Sequence, residues 1–414
     1  MNSSRTSLSY REIPSIFVVL IATTYFVISG ITIKGAVQIA VFLLAALLTV
    51  VFGEHRKLTL LDFLWIISII PFFYSVKDWS IASFRDLAAY FAFIVYVVFE
   101  KTRRANHRKA IGILLFMAFF NLFFVFVHAL FKTQFTRFLY SILAQGAIFT
   151  FERAVKGNYI TGLGFIPGDT SGYLVNGILI LLFYGREMRS KHRFIGIAAL
   201  LAGMLFCAKK SHLICILLAV LIAWVFTGRG TKKVRRIVIA ITGLTALLAV
   251  GYFLLPYFSN IPMVNRISLA IEKIMAGADF TSNRTNLTKL ALKLYEGHEA
   301  LGIGWKSFNQ YTLSRWGFTN YVNNIYLQLL CETGVLGALL FITPMIVTLI
   351  RTVSLMKKAR FRPLDDDYIP ILSLSLALQL FFLIYGFFEI PFYDYTFLFV
   401  YALAISLANS VEIE

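Results

Sequence analysis

Charge is scarce in this chain, and negative charge is scarcest. Of 414 residues 14% are charged, with 21 Asp and Glu against 39 Lys and Arg, while 59% are hydrophobic. A soluble domain could not hide that much apolar surface. The composition, with a mean hydropathy of +0.77, excludes an ordinary globular protein and predicts a polytopic membrane protein. Cysteine is nearly absent: Cys207, Cys215 and Cys331 lie in or at the ends of apolar runs, which leaves no disulfide framework and points to core filling. No two histidines have a zinc-like spacing and no Asp pair resembles a metal site, so neither a metal nor another cofactor is expected. Internal repeats and low-complexity tracts are missing too. The first apolar segment lacks a small-residue cleavage site and reads as an uncleaved span.

What is present is a succession of apolar segments, at 14–33, 36–52, 59–76, 84–99, 110–131, 171–185, 194–208, 212–227, 235–255, 323–350, 368–388 and 393–410. Helices satisfy their own backbone hydrogen bonds in lipid, so the fold class expected is all-α, with about twelve transmembrane helices in a single membrane domain over residues 1–414. The net charge of +18 is not a nucleic-acid signature, because 23 of the 39 Lys and Arg fall in the N-terminal tail and in alternate loops, at 54–57, 101–109, 186–193, 229–236 and 351–362. Topogenesis and anionic headgroups account for that placement without a nucleic-acid partner. Those loops are expected in the cytoplasm, as are both termini.

The opposite face then carries two long segments, 132–170 and 256–322, neither long enough for an independent enzyme domain. Together they are expected to form an extracytoplasmic helical cap. In the second, Leu287, Leu290, Ala291 and Leu294 recur at the spacing of one helical face, with Ser282 or Asn283 placed to cap the helix. Arg284 opens that helix. A cation is disfavoured at a positive helix terminus, and its presence makes sense if an anion is shared between guanidinium and backbone N–H groups; an ordinary ion pair with a nearby Glu or Asp is the alternative. Lys209 and Lys210 interrupt the apolar stretch FCAKKSHLI. They either snorkel to outer headgroups or hold a phosphate. Asn324, Gln328 and Glu332 form a polar stripe entering the membrane, and helix–helix hydrogen bonding is the preferred role of the last two; Gly334 and Gly337 read as close-packing positions. Candidate bases on this face are His298, His212, Asp169 and Glu296.

These residues resemble the O-antigen ligase and polymerase family, the WaaL-type ligases and Wzy-type polymerases. In that family an arginine-led segment precedes a His-Pro-x-x-Gly-x-Gly turn and a His-Asn-x-x-Leu…Glu-x-Gly-x-x-Gly helix. The corresponding residues are Arg284, then HEALGIGWKSF with Gly302, Gly304 and Trp305, then NNIYLQLLCETGVLG. GNYITGLGFIPGDTSGYL looks like a further family segment, with Gly162, Phe165 and Pro167 in place, and Lys210 stands opposite a family arginine. The resemblance implies a GT-C-like glycosyltransferase. It would transfer a glycan from undecaprenyl diphosphate to an acceptor hydroxyl at the outer face of the bacterial inner membrane, with inversion and without metal or nucleotide sugar. It assigns Arg284 and Lys210 to the diphosphate with Lys209 in support, and Asn323, Asn324 and Trp305 to the acceptor. Asn323 stands where ligases place a histidine, and Asp169 and Thr170 where Pro-Asn is usual. These departures favour a polymerase over a lipid A core ligase and leave His298 and Asp169 as the nearest bases. Membrane lipids, a flippase and a chain-length regulator are the partners such an enzyme implies. Against a carrier stands the layout, with the two largest loops outside and only a short joint between spans six and seven. A purely structural membrane subunit is the remaining alternative, and it would be indifferent to mutation of Arg284.

Overall fold

The computed structural model of the chain describes residues 10–30, 35–53, 57–100, 107–157, 159–185, 188–227, 233–243, 245, 257, 262–276, 284–317, 319–361 and 368–411. Among these residues every regular element is a helix. Before the large second loop come α1 (Ile13–Gly30), α2 (Gly35–Phe52), α3 (Leu60–Ile67), α4 (Ile70–Ser75), α5 (Ile81–Phe99), α6 (His107–Leu130), α7 (Lys132–Ile142), α8 (Gln145–Lys156), α9 (Pro167–Phe183), α10 (Ser190–Cys207) and α11 (Lys210–Phe226). There follow α12 (Pro262–Met275), α13 (Arg284–Tyr295), α14 (Ser307–Trp316), α15 (Ile325–Phe361), α16 (Tyr368–Tyr385) and α17 (Tyr395–Asn409).

Six of these helices are long and apolar enough to cross a membrane: α2, α5, α6, α10, α15 (over Ile325–Ala359) and α16. With the shorter apolar helices α11 and α17 and the α3–α4 pair, they make an all-helical polytopic membrane protein. The helices α1 and α9 also fall where spans are expected, whereas the span expected at 235–255 lies mostly outside the described residues. Two expectations need correction. The stretch 59–76 is not one helix: α3 ends at Ile67 and α4 restarts at Ile70 with Pro71 in its first turn. The helix expected from residue 171 begins at Pro167, so that Asp169 falls in the first turn of α9. The segment 132–170 is largely helical, with Phe135, Leu139, Ala147, Phe151 and Phe165 giving α7 and α8 a small apolar core of their own.

Burial sorts the helices. All of α17 and nearly all of α9 are buried, so these two form the centre of the bundle, with α16 beside them. Small residues let backbones approach there, as where Ser375 Oγ donates to the Ala404 carbonyl at 2.5 Å. The outer helices turn large apolar side chains away from the protein: Leu43, Leu47 and Val51 on α2, Phe116 and Phe123 on α6, Leu339 and Ile350 on α15. That pattern suits a lipid surround, where polar groups such as Asn121, Asn176 and Gln379 belong inside.

Cross-bundle contacts define two ends. At one, Lys109 meets Glu12 at 2.6 Å, Ser406 donates to the Glu100 carbonyl at 3.0 Å, and Arg351 donates to Asn409 at 2.7 Å. The chain's first and last described helices therefore begin and finish at the same end. At the other end, Arg266 of α12 stacks on Tyr159 and donates to the Gly157 carbonyl at 3.1 Å, joining the segments 132–170 and 256–322.

Candidate functional site

At this second end the sequence motifs interlock. The helix α15 is broken at Gly334 (φ 67°, ψ −174°), a conformation that glycine alone adopts readily. The break exposes backbone groups to the turn 299–304: Ile303 N donates to the Cys331 carbonyl and Gly304 N to the Glu332 carbonyl, both at 2.9 Å, and Val335 N donates to the Glu299 carbonyl at 2.8 Å. The glycines Gly302 and Gly334 allow that contact. Glu332 braces it from within: its carboxylate accepts from Gln328 Nε2 (2.8 Å), Phe308 N (3.3 Å) and the Tyr393 hydroxyl (2.5 Å). The polar stripe Gln328–Glu332 thus holds the loop to the bundle, and Leu287 and Ala291 of α13 bury their side chains beside it, with Leu290 and Leu294 packed against them. The capping residues expected for α13, Ser282 and Asn283, lie outside the described residues.

Trp305 belongs to a second brace. Its indole donates to Asp86 Oδ2 at 3.1 Å, and Lys306 Nζ sits 2.5 Å from the same oxygen. The Tyr395 hydroxyl donates to Asp86 Oδ1. The Trp305 ring is buried against Phe72 and Tyr393. This geometry anchors the glycine turn to α5 and α17.

The cations gather a short way off. Ala208 takes a left-handed conformation (φ 53°) that ends α10, and the tight turn carries Lys209 and Lys210 to the start of α11. Lys209 Nζ lies 2.6 Å from Glu389 Oε1. Arg284, the first residue of α13, brings Nη2 to 3.0 Å from that same oxygen and donates from Nη1 to the Phe388 carbonyl at 2.7 Å. So the anion at the head of α13 is a carboxylate of the chain itself. One carboxylate does not neutralise the cluster. Lys210 donates to the Arg266 carbonyl at 3.4 Å and feels the positive charges of Arg266, Arg284 and Lys273.

Asp169 sits below, in the first turn of α9, beside Lys209 and within hydrogen-bond reach of Asp394. Asp394 caps α17 by accepting from Thr396 N at 2.9 Å, and burial raises its carboxyl above the ordinary aspartate range. His212 is fully buried one turn into α11, against the Tyr385 ring, too deep to reach solvent.

The structure therefore brings together Arg284, Lys209, Lys210 and Asp169. It keeps His298 apart: exposed beyond the far end of α13, it lies roughly 15–20 Å from Arg284 at the helical rise. Asn324 serves as the N-cap of α15, accepting from Tyr326 N and Leu327 N at 3.1 Å. Asn323 takes a left-handed φ of 55°, a conformation that both Asn and His tolerate better than most residues. It borders the cation cluster, since Ile325 N donates to the Gly386 carbonyl at 2.8 Å in the loop that bears Glu389. Arg266, Glu389 and Asp394 escape a motif reading, although Glu389 and Asp394 are the only charged residues from 368 to 411. Among the described residues no three His, Cys, Asp or Glu side chains converge as a metal site.

A lipid-facing helical bundle with a cation cluster at one end defines a polytopic membrane protein. Residues 196–342 match the family described as O-antigen ligase. The match spans Lys209, Lys210, Arg266, Arg284, the glycine turn and Asn323, and stops short of Glu389 and Asp394. Members of the family are membrane enzymes of glycosyltransferase type, and the family implies lipid-linked glycan substrates. Among curated proteins none matches the chain.

Proposed function

We propose that the chain is a polysaccharide polymerase of the O-antigen, capsule or exopolysaccharide kind. It transfers an undecaprenyl-diphosphate-linked glycan to the non-reducing end of another lipid-linked repeat unit. The observation that carries this reading is the convergence of Lys209 and Arg284 on one carboxylate oxygen, with Lys210 and Arg266 alongside. A diphosphate offers the same cations several oxygens in place of one, and a guanidinium binds phosphate in two-point fashion. The diphosphate is already a good leaving group, so positioning and charge stabilisation supply much of the catalysis. A single in-line displacement inverts the anomeric carbon.

The twelve-span, GT-C-like arrangement with cytoplasmic termini and an outward-facing cap in the bacterial inner membrane is part of the same reading. Contacts that put Glu12 and Asn409 at one end and Arg284 at the other support it. A lipid A core ligase is the second reading, favoured by the description of the matching family. Asn323, where ligases place a histidine, weighs against it, since an amide cannot act as a base near neutral pH.

Glycan analysis of a deletion strain separates the readings. A polymerase leaves single repeat units on the lipid A core when deleted. A ligase leaves long chains on undecaprenyl diphosphate that never reach the core. An unchanged glycan refutes both.

A further inference from the structure

Glu389 lies in the loop joining the last two helices, outside the stretch 196–342 that matches the family. Its two oxygens are used unequally. Oε1 receives both Lys209 Nζ at 2.6 Å and Arg284 Nη2 at 3.0 Å. Oε2 has no hydrogen-bond partner among the described residues. The side chain keeps 14% of its surface exposed and its two cations keep more, 25% for Lys209 and 35% for Arg284, so the group opens outward where a ligand could reach it. The same loop is hydrogen-bonded through Gly386 to the start of α15, beside Asn323, which supplies no base.

The other acids nearby are already engaged. Asp394 caps α17 and lies within hydrogen-bond reach of Asp169, and His298 stands at the far end of α13. The groups that face Glu389 are Lys209 from the α10–α11 turn and Arg284 from α13. Cys215 of α11 and Tyr385 of α16 lie within its field, and Asp169 and Asp394 lie across Lys209.

We infer that Glu389 is the general base of the transfer, held inactive by Lys209 and Arg284 until the donor diphosphate takes those cations from it. The inference rests on the polymerase reading above. In the free protein the two cations hold the carboxylate oxygen as an ion-pair partner. When the diphosphate binds, its oxygens take Lys209 and Arg284, and Glu389 Oε1 is released beside the donor. The acceptor hydroxyl oxygen then bonds to the anomeric carbon of the donor as the bond from that carbon to the phosphate oxygen breaks. The electron pair leaves with undecaprenyl diphosphate, and the hydroxyl proton passes to Glu389 and from there to solvent.

The test compares wild type with Glu389→Gln in lipid nanodiscs, measuring the binding of undecaprenyl diphosphate and the elongation of a lipid-linked repeat unit across pH. Removal of a general base costs about 10²–10⁴-fold in turnover. Glu389→Gln is expected to bind undecaprenyl diphosphate at least as tightly as wild type, because its amide competes less for the two cations. Its turnover should fall at least a hundredfold, and the acid limb of the wild-type kcat profile should vanish. Glu389→Asp, which keeps a carboxylate at shorter reach, should retain the acid limb at a reduced rate and guards against a variant that merely fails to fold. Turnover of Glu389→Gln within a few-fold of wild type would overturn the inference, as would a loss confined to donor binding with kcat and its acid limb intact. Absence of elongation by wild type would overturn the polymerase reading and this inference with it.

Discussion

Gly302 and Gly334 face each other backbone to backbone: a Cβ on Gly302 would fall 2.5 Å from the Gly334 nitrogen, and one on Gly334 would overlap the Ala300 carbonyl. The two glycine motifs of the sequence are halves of one joint, which fixes the turn after α13 to the break in α15. Left-handed strain in a residue other than glycine costs about 1–3 kcal/mol, and the overlap adds to it. Gly334→Ala is expected to lower the melting temperature of the detergent-solubilised protein by several degrees or to stop its accumulation. Gly112→Ala, where nothing lies within 4 Å, should melt as wild type does. If both variants melt alike, the joint is not tight.

Asp86 ties Trp305, Lys306 and Tyr395 into one brace. Asp86→Ala leaves a lysine and two aromatic donors without their acceptor. With Lys306 a quarter exposed, about 2–3 kcal/mol of stability should be lost, below the range for a fully buried pair. Asp86→Asn keeps an acceptor oxygen and should lose less. Thermal unfolding ranks the two, and limited proteolysis within 299–322 should accelerate in the order wild type, Asn, Ala. Equal proteolysis in all three would show that the turn is anchored elsewhere.

Much of this was legible in the sequence, and the failures have physical causes. Apolar runs and the face Leu287, Leu290, Ala291 and Leu294 can be read directly, since burial demands them. The lysine pair stands out against its apolar flanks. The helices α7 and α8 do not read as apolar runs because they are two-faced, with Phe135, Leu139, Ala147 and Phe151 buried and Lys132, Arg137 and Arg153 exposed. Glu389 and Asp394 look like turn punctuation between two long apolar helices; their meaning comes only from Arg284, Lys209 and Asp169, which reach them from distant parts of the chain. Trp305 enters the sequence reading only through the resemblance, and the partner of its indole N–H, Asp86, lies far away in the chain.

Burial raises the Asp394 carboxyl above its ordinary value of about 3.9. In the interval between that value and the raised one, the folded protein holds a proton that the unfolded chain has released. Stability therefore falls as pH rises through this interval. Asp394→Asn retains the oxygen that caps α17 and removes the ionisation. It should melt higher than wild type at neutral pH and show a flatter dependence of melting temperature on pH above 4. A variant that melts lower at every pH would contradict the raised Asp394 carboxyl.

Lys210 occupies a position where the resemblance expects an arginine, and it feels the positive charges of Arg266, Arg284 and Lys273. Removing one such donor from a charge-stabilising site costs about 10²–10³-fold in rate. Lys210→Ala should lower kcat/KM for a lipid-linked repeat unit by about that factor. Lys210→Arg should retain activity with an equal or lower donor KM, since a guanidinium grips phosphate at two points. Full activity in Lys210→Ala would remove this lysine from the site.

The most direct test of the central claim is elongation of a lipid-linked repeat unit by the protein reconstituted in liposomes, wild type against Arg284→Ala, with melting temperatures measured in parallel. The polymerase reading predicts a ladder of lengthening products from wild type, and only single units from an Arg284→Ala variant that melts normally. A ladder of the same length and rate from Arg284→Ala would contradict it.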